Sequence, residues 1–230
     1  MTTLPRMASD AHPICVAGLY VGSLQTLAPE GQQTGIYKQP VESVQINHLG
    51  IIGDVQADKR VHGGVDKALH QYALSSYALI RDHYPELATL AVAGAIGENI
   101  SSPVLDDRNV YIGDIYTIGT VIVQISQPRS PCWKINHRFD TELLSKFIAE
   151  QQICGWYYRV LQDGQITVGD AIVLQQRFAD SLTVAEFCRI ATMHRPPLET
   201  LALAAACHGL APEWKVRLEH RCAYLAKHIL

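Results

Sequence analysis

No CxxC pair, no dense framework and no zinc-type spacing links the six cysteines, which stand at 15, 132, 154, 188, 207 and 222. That pattern favours reduced thiols in a cytosol over the disulfides of a secreted fold. No apolar run approaches the roughly 18 residues that a membrane span requires. The opening MTTLPRMASDAHPIC has no apolar segment of signal-peptide type. A cytoplasmic protein without a membrane partner is therefore expected. Charge is sparse as well: 18% of residues are charged and the net charge is −3, which gives no general reason to expect nucleic-acid or membrane binding. The GxxxxGK[ST] of a P-loop, a strand-to-helix GxGxxG and a GxSxG elbow are all missing. What is present is a chain of 230 residues, 48% hydrophobic, enough for one large domain or for one domain and a small appendage.

Short segments rich in β-branched and aromatic residues dominate the first three quarters. Residues 14–21, 41–46, 68–72, 110–119, 120–126, 156–161 and 164–174 read as strands separated by glycine turns, and residues 28–37 as a loop. Two helices interrupt them, one capped by Ser75 or Ser76 and stopped by Pro85, the other running from Thr141 to about Glu150. The pattern predicts a mainly β fold, an antiparallel barrel, because the long amphipathic helices of parallel βαβ units are missing. Near Gln175 the period changes. Thr183-Val184-Ala185-Glu186 is a capping box, Pro196-Pro197 breaks the helix it opens, and a second helix over 198–207 closes at Gly209. Pro212 then opens a third. The expected division is a barrel domain over 1–176 and a three-helix domain over 177–230. Seven Lys and Arg stand against five Asp and Glu in this tail, a surplus too small for the basic face of a DNA-binding module.

The chemistry centres on QPRSPCWK, residues 127–134. Pro128 ends the preceding strand, Pro131 fixes φ just before Cys132, and Ser130 is pushed toward extended backbone by the proline after it. A stiff loop thus holds one thiol between Arg129 and Lys134. Positive charge favours thiolate, the form that attacks electrophiles or binds soft metals; a buried, inert cysteine is the alternative. The other five cysteines read as core fillers. In KRVHGG, Lys59, Arg60 and His62 precede Gly63 and Gly64, whose backbone N–H groups can approach an anion closely. A turn histidine bonded to backbone is the alternative for His62. In GEN, Asn99 carries both donor and acceptor, though Glu98 and Asn99 would equally satisfy loop amides.

Together GDVQADKRVHGGVDKAL, GEN, NVYIGD and QPRSPCWK, in this order and spacing, resemble the signature of MOSC domains, the molybdenum cofactor sulfurase C-terminal type, over residues 14–174. With its helical tail the chain is similar to the YiiM-like subgroup, known for resistance to 6-N-hydroxylaminopurine. The resemblance implies a β-barrel that binds the molybdenum cofactor (Mo-molybdopterin), with Cys132 giving its thiolate to the metal. A soft thiolate suits a metal already held by dithiolene sulfurs. On that premise Lys59, Arg60, His62, Gly63, Gly64, Lys67, Arg129 and Lys134 would meet the cofactor, and Cys132, Asn99 and Arg129 would serve catalysis. Arg129 would pair with an anion or keep Cys132 ionised, and Asn99 would meet a polar substrate or the pterin edge. The implied reaction is reduction of a small N-hydroxylated substrate, N–OH to N–H with loss of water. Electrons would come from a flavoprotein donor, because the sequence carries no flavin, NAD or iron–sulfur site of its own. A sulfur carrier with a persulfide on Cys132 and no molybdenum would use the same thiolate. The oligomeric state is left open.

Overall fold

A computed structural model describes residues 14–27, 31–55 and 63–228. In chain order it runs β1 (Gly18–Gly22), β2 (Gln25–Leu27), β3 (Gln32–Thr34), β4 (Lys38–Val41), β5 (Ser43–Asn47), β6 (Gly50–Ile51), β7 (Leu69–Ala73), α1 (Leu74–His83), β8 (Ile100–Ser102), β9 (Ile115–Ile118) and β10 (Val121–Pro128). Two short helices follow, α2 (Trp133–Phe139) and α3 (Leu144–Glu150), then β11 (Trp156–Gln162), β12 (Gly164–Thr167) and β13 (Ile172–Gln176). The tail is α4 (Val184–Thr192), α5 (Leu198–Ala206) and α6 (Pro212–His228).

Eight strands make one sheet in the order β13-β9-β10-β11-β7-β8-β1-β4. The stretch before β1 reaches the stretch before β13 through a bridge between Cys15 and Ala171. Val16 N donates to Asp170 O at 3.0 Å and Ile172 N to Ile14 O at 2.8 Å. The sheet thus comes round on itself through a short seam, without a continuous ladder between β1 and β13. All its pairs are antiparallel except β7 and β8, which run parallel with Gln71 opposite Ile100 and with α1 in their connection. The expectation of a wholly antiparallel sheet is corrected there; β8 is only three residues long, too short to show a period.

β10 is the strand that positions the site. Val121, Ile122, Val123 and Ile125 suit a pleated surface, and it pairs with β9 on one side and β11 on the other. Its register to β11 slips between Ile125 and Gln127. Such a bulge bends a strand and re-aims the residues beyond it, here Gln127, Pro128 and Arg129. Arg129 N then donates to Gly155 O at 3.0 Å, tying the loop to the start of β11. Gly155 has φ 73°, and a Cβ there would stand 2.6 Å from Gln71 O, so both conformation and space call for glycine. On β11, Trp156 and Tyr158 are fully buried and join Tyr72, Tyr77 and Tyr116 as the largest core side chains.

Some local expectations are corrected. Neither Ser75 nor Ser76 caps α1; Ala73 holds the N-cap position without a side-chain bond. α3 begins after Leu143, at φ 67°, while the Thr141 hydroxyl donates to Phe139 O at 2.9 Å. α2 falls where no helix is expected, being seven residues without a capping side chain. Within the expected loop, β3 pairs with β2. The Thr183 capping box is present: Glu186 N donates to Thr183 Oγ1 at 3.1 Å and Thr183 N to Glu186 Oε2 at 2.9 Å.

The expected division at 176/177 falls just after β13, yet Phe187, Leu201 and Leu218 of the tail share one apolar cluster with Tyr116 and Ile125 of the sheet. Asp114, the last residue of NVYIGD, is buried. It accepts from Arg177 Nε at 2.9 Å and Nη2 at 2.6 Å, and from the Tyr116 hydroxyl at 3.0 Å. That motif therefore anchors the tail to the sheet. Among the described residues no helix is long and apolar enough to cross a membrane.

Candidate functional site

A cleft of about 640 Å³, counting its solvent-open mouth, lies beside the end of β10. Its lining includes Cys132, Arg129, Asn99, Gly63, Lys67 and Lys134. Residues expected from three separate motifs thus meet in one place. Gly64 adjoins the cleft in sequence, with φ 85° and open space where a side chain would stand. Lys59, Arg60 and His62 lie outside the described residues.

Cys132 is half-buried and occupies the N-cap position of α2 in extended backbone. Arg129 is 6% exposed. Its Nη2 donates to Ile96 O at 3.3 Å, and its Nη1 is buried with no hydrogen-bond partner among the described residues. Beside it, burial pushes the Tyr157 phenol up and the Arg129 guanidinium opposes part of that rise. Tyr157 stands opposite His70 in the β11–β7 register, their rings 5.3 Å apart, and both line the cleft.

Lys67 is set by the turn that precedes β7. Arg159 fastens that turn by donating from Nε to Asp66 Oδ1 at 2.8 Å, and Lys67 Nζ reaches Glu213 of α6 at 3.4 Å. Lys134 Nζ donates to Gln33 O at 2.8 Å, tying α2 to β3 across the cleft's edge.

Several lining residues escaped the sequence reading, His70 and Tyr157 among them. Lys38 and Asp54 form an ion pair at 2.6 Å, with side chains 6% and 3% exposed. Burial pulls the Lys38 ammonium down and the Asp54 carboxylate opposes it. Asp54 also accepts from Gly22 N at 2.7 Å and from Asn99 Nδ2 at 2.9 Å. Asn99 Nδ2 further donates to Tyr20 O at 3.2 Å, and Asn99 Oδ1 accepts from His70 N at 3.1 Å. The Asn99 amide is thereby committed to the scaffold, with one lone pair left for a ligand. Asp54 stands inside the GDVQADKR motif, but Lys38 carries no local signal.

Glu98 is wholly internal. It accepts from Tyr77 Oη at 2.8 and 2.9 Å, from Gly94 N at 2.6 Å and from Ser101 Oγ at 3.1 Å, while burial pushes its carboxyl up. It holds the 94–101 segment that presents Ile96, Gly97 and Asn99 to the cleft. The cleft thus combines a half-exposed thiol with a buried cation that has no anionic partner among the described residues, a combination suited to an anionic ligand that carries a soft metal.

The family model of the MOSC domain matches residues 58–173. The chain is 38% identical to Protein YiiM of Escherichia coli (strain K12) over 208 residues, 88% of this chain and 90% of that protein. It is 36% identical over 198 residues to a protein of Gibberella moniliformis named Reductase, covering 85% of this chain but 35% of that protein. The crystal structure of YiiM from Escherichia coli superposes with a TM-score of 0.77 at 30% identity, covering 92% of this chain and 94% of that one.

Proposed function

The chain belongs to the MOSC-domain family, in its YiiM-like subgroup, and from that premise we propose that it is a molybdenum-cofactor-dependent reductase of small N-hydroxylated compounds. The observation that carries the reading is Arg129. Its buried guanidinium has a free donor in the same cleft as Cys132, and a buried charged donor is relieved by an anionic partner. The residues present fit the cofactor. Among the described residues no cluster of three His, Cys, Asp or Glu side chains is placed to hold a metal. Cys132 would give the protein's sulfur to a metal whose other ligands come with its cofactor.

When bound, the cofactor supplies the two-electron redox chemistry. The chain's residues hold and orient it. Cys132 gives its sulfur to the metal, Arg129 Nη1 binds an anionic group, and backbone N–H groups of the Gly63-Gly64 turn approach the cofactor closely. The Lys38–Asp54–Asn99 network keeps the opposite wall in place, and burial holds Tyr157 in its protonated form. Two electrons and two protons convert R–NHOH to R–NH2 and water, the electrons arriving from a flavoprotein donor.

Turnover tests this. Protein isolated from a host that makes the cofactor, supplied with a reduced flavoprotein, should convert 6-N-hydroxylaminopurine to adenine, and Cys132→Ser should not. Normal turnover by that variant overturns the mechanism. A persulfide on Cys132 in protein free of molybdenum would mark a sulfur carrier instead.

A further inference from the structure

On the far side of the Cys132 loop lies a second cavity of about 700 Å³, counting its open mouth, which shares Lys67, Cys132 and Tyr157 with the first. Cys132 therefore stands where the two meet. One wall is the first two turns of α6, with Trp214 and Arg217; Gln127, at the bulged end of β10, lines the cavity too. Gln127 is 3% exposed, and its Oε1 has no hydrogen-bond partner among the described residues. A buried acceptor without a donor is a costly arrangement, and a ligand N–H relieves it.

Trp214 is half-buried and held from two directions. The Phe187 ring meets it edge-on at 5.3 Å, and the Arg217 guanidinium lies 4.9 Å from its ring centre. A fixed indole beside a lone acceptor selects a flat ring with a polar substituent over a small aliphatic molecule. The Lys67–Glu213 pair at 3.4 Å joins α6 to the turn before β7, linking this wall to the cofactor cleft.

We propose that this second cavity is the substrate pocket. It takes a planar nitrogen heteroaromatic whose exocyclic N–H donates to Gln127 Oε1 and whose ring packs against Trp214. The assignment rests on the reductase reading of Cys132 and deepens it: the helical tail supplies substrate selection. Gln127 and Trp214 are specificity residues, set apart from the groups that hold the cofactor.

Binding measured without turnover tests it. Adenine carries the exocyclic N–H but no N–OH, whereas 6-methoxypurine has the ring and no exocyclic donor. By calorimetry the cofactor-loaded protein should bind adenine up to about tenfold more tightly than 6-methoxypurine, the value of one hydrogen bond. Gln127→Met should lose that preference and keep its molybdenum, and Trp214→Ala should weaken both ligands. KM for 6-N-hydroxylaminopurine should rise by the same factor in Gln127→Met, with a smaller change in kcat. A wild-type protein without the preference overturns the assignment, as does Gln127→Met that retains it or loses its molybdenum. Adenine discrimination without any reduction of 6-N-hydroxylaminopurine would instead overturn the proposed reaction and leave the pocket standing.

Discussion

Replacing Arg129 by methionine should move two quantities in opposite directions. The Arg129 guanidinium is 6% exposed, has no ion pair among the described residues and leaves Nη1 without a partner there. An unsatisfied buried donor costs about 1–3 kcal/mol, more when charged. The hydrogen bond from Nη2 to Ile96 O is charge-assisted but long at 3.3 Å, and losing it removes about 1.5 kcal/mol, the low end for a bond made by a charged group. The balance is a gain of about 1 kcal/mol on substitution, which at this chain length corresponds to a rise in Tm of about 2–4 °C. Ligand binding goes the other way. A charged hydrogen bond contributes about 1.5–3 kcal/mol, so affinity for the cofactor should fall roughly 10- to 150-fold. Urea and thermal unfolding of protein from a host unable to make the cofactor read the first quantity, and cofactor occupancy at limiting supply reads the second. An Arg129→Met protein that is less stable and fills normally would refute the reasoning, since Arg129 would then serve packing and not an anion.

Asp107 should give the fold a pH dependence that asparagine removes. Its Oδ1 accepts from Gly155 N at 2.9 Å, and burial pushes its carboxyl from 3.8 up to about 7. The folded state keeps a proton that the unfolded chain has released, so this residue's contribution is full below about pH 4 and is lost as pH rises to about 7, a change on the order of 4 kcal/mol. Urea midpoints at pH 5 and pH 8 should differ less in Asp107→Asn than in the wild type; an unchanged difference counts against the burial argument. Asp54→Asn strands the buried Lys38 ammonium and should cost about 3–5 kcal/mol. Adding Lys38→Met should restore much of that loss in the same urea assay, and a double variant as weak as the single one would show that the pair's other hydrogen bonds matter more.

What was legible in the sequence was legible locally. β10 announces itself through its β-branched residues and its closing Pro128, and the Cys132 loop through its two prolines. The Thr183 box carries its own partner three residues on. The strands and the tail helices arise from patterns of this kind. The walls of the site do not. Lys38 and Asp54 come from a strand and a loop and meet only in the folded chain. Tyr157 reaches the cleft because the β11–β7 register sets it opposite His70. Gln127 opens the Cys132 motif, yet nothing local marks it as a pocket residue; the strand runs on through it, and only the bulge and α6 bring it to the cavity. The parallel pairing of β7 with β8 depends on tertiary contacts that three residues of strand cannot signal.

Elemental molybdenum per chain, determined on protein isolated from a host that makes the cofactor, tests most directly the claim that Cys132 holds the cofactor's metal in the Arg129 cleft. The account predicts near-stoichiometric molybdenum in the wild type and a small fraction of it in Cys132→Ser. Equal molybdenum in the two proteins, or none in the wild type, would contradict it.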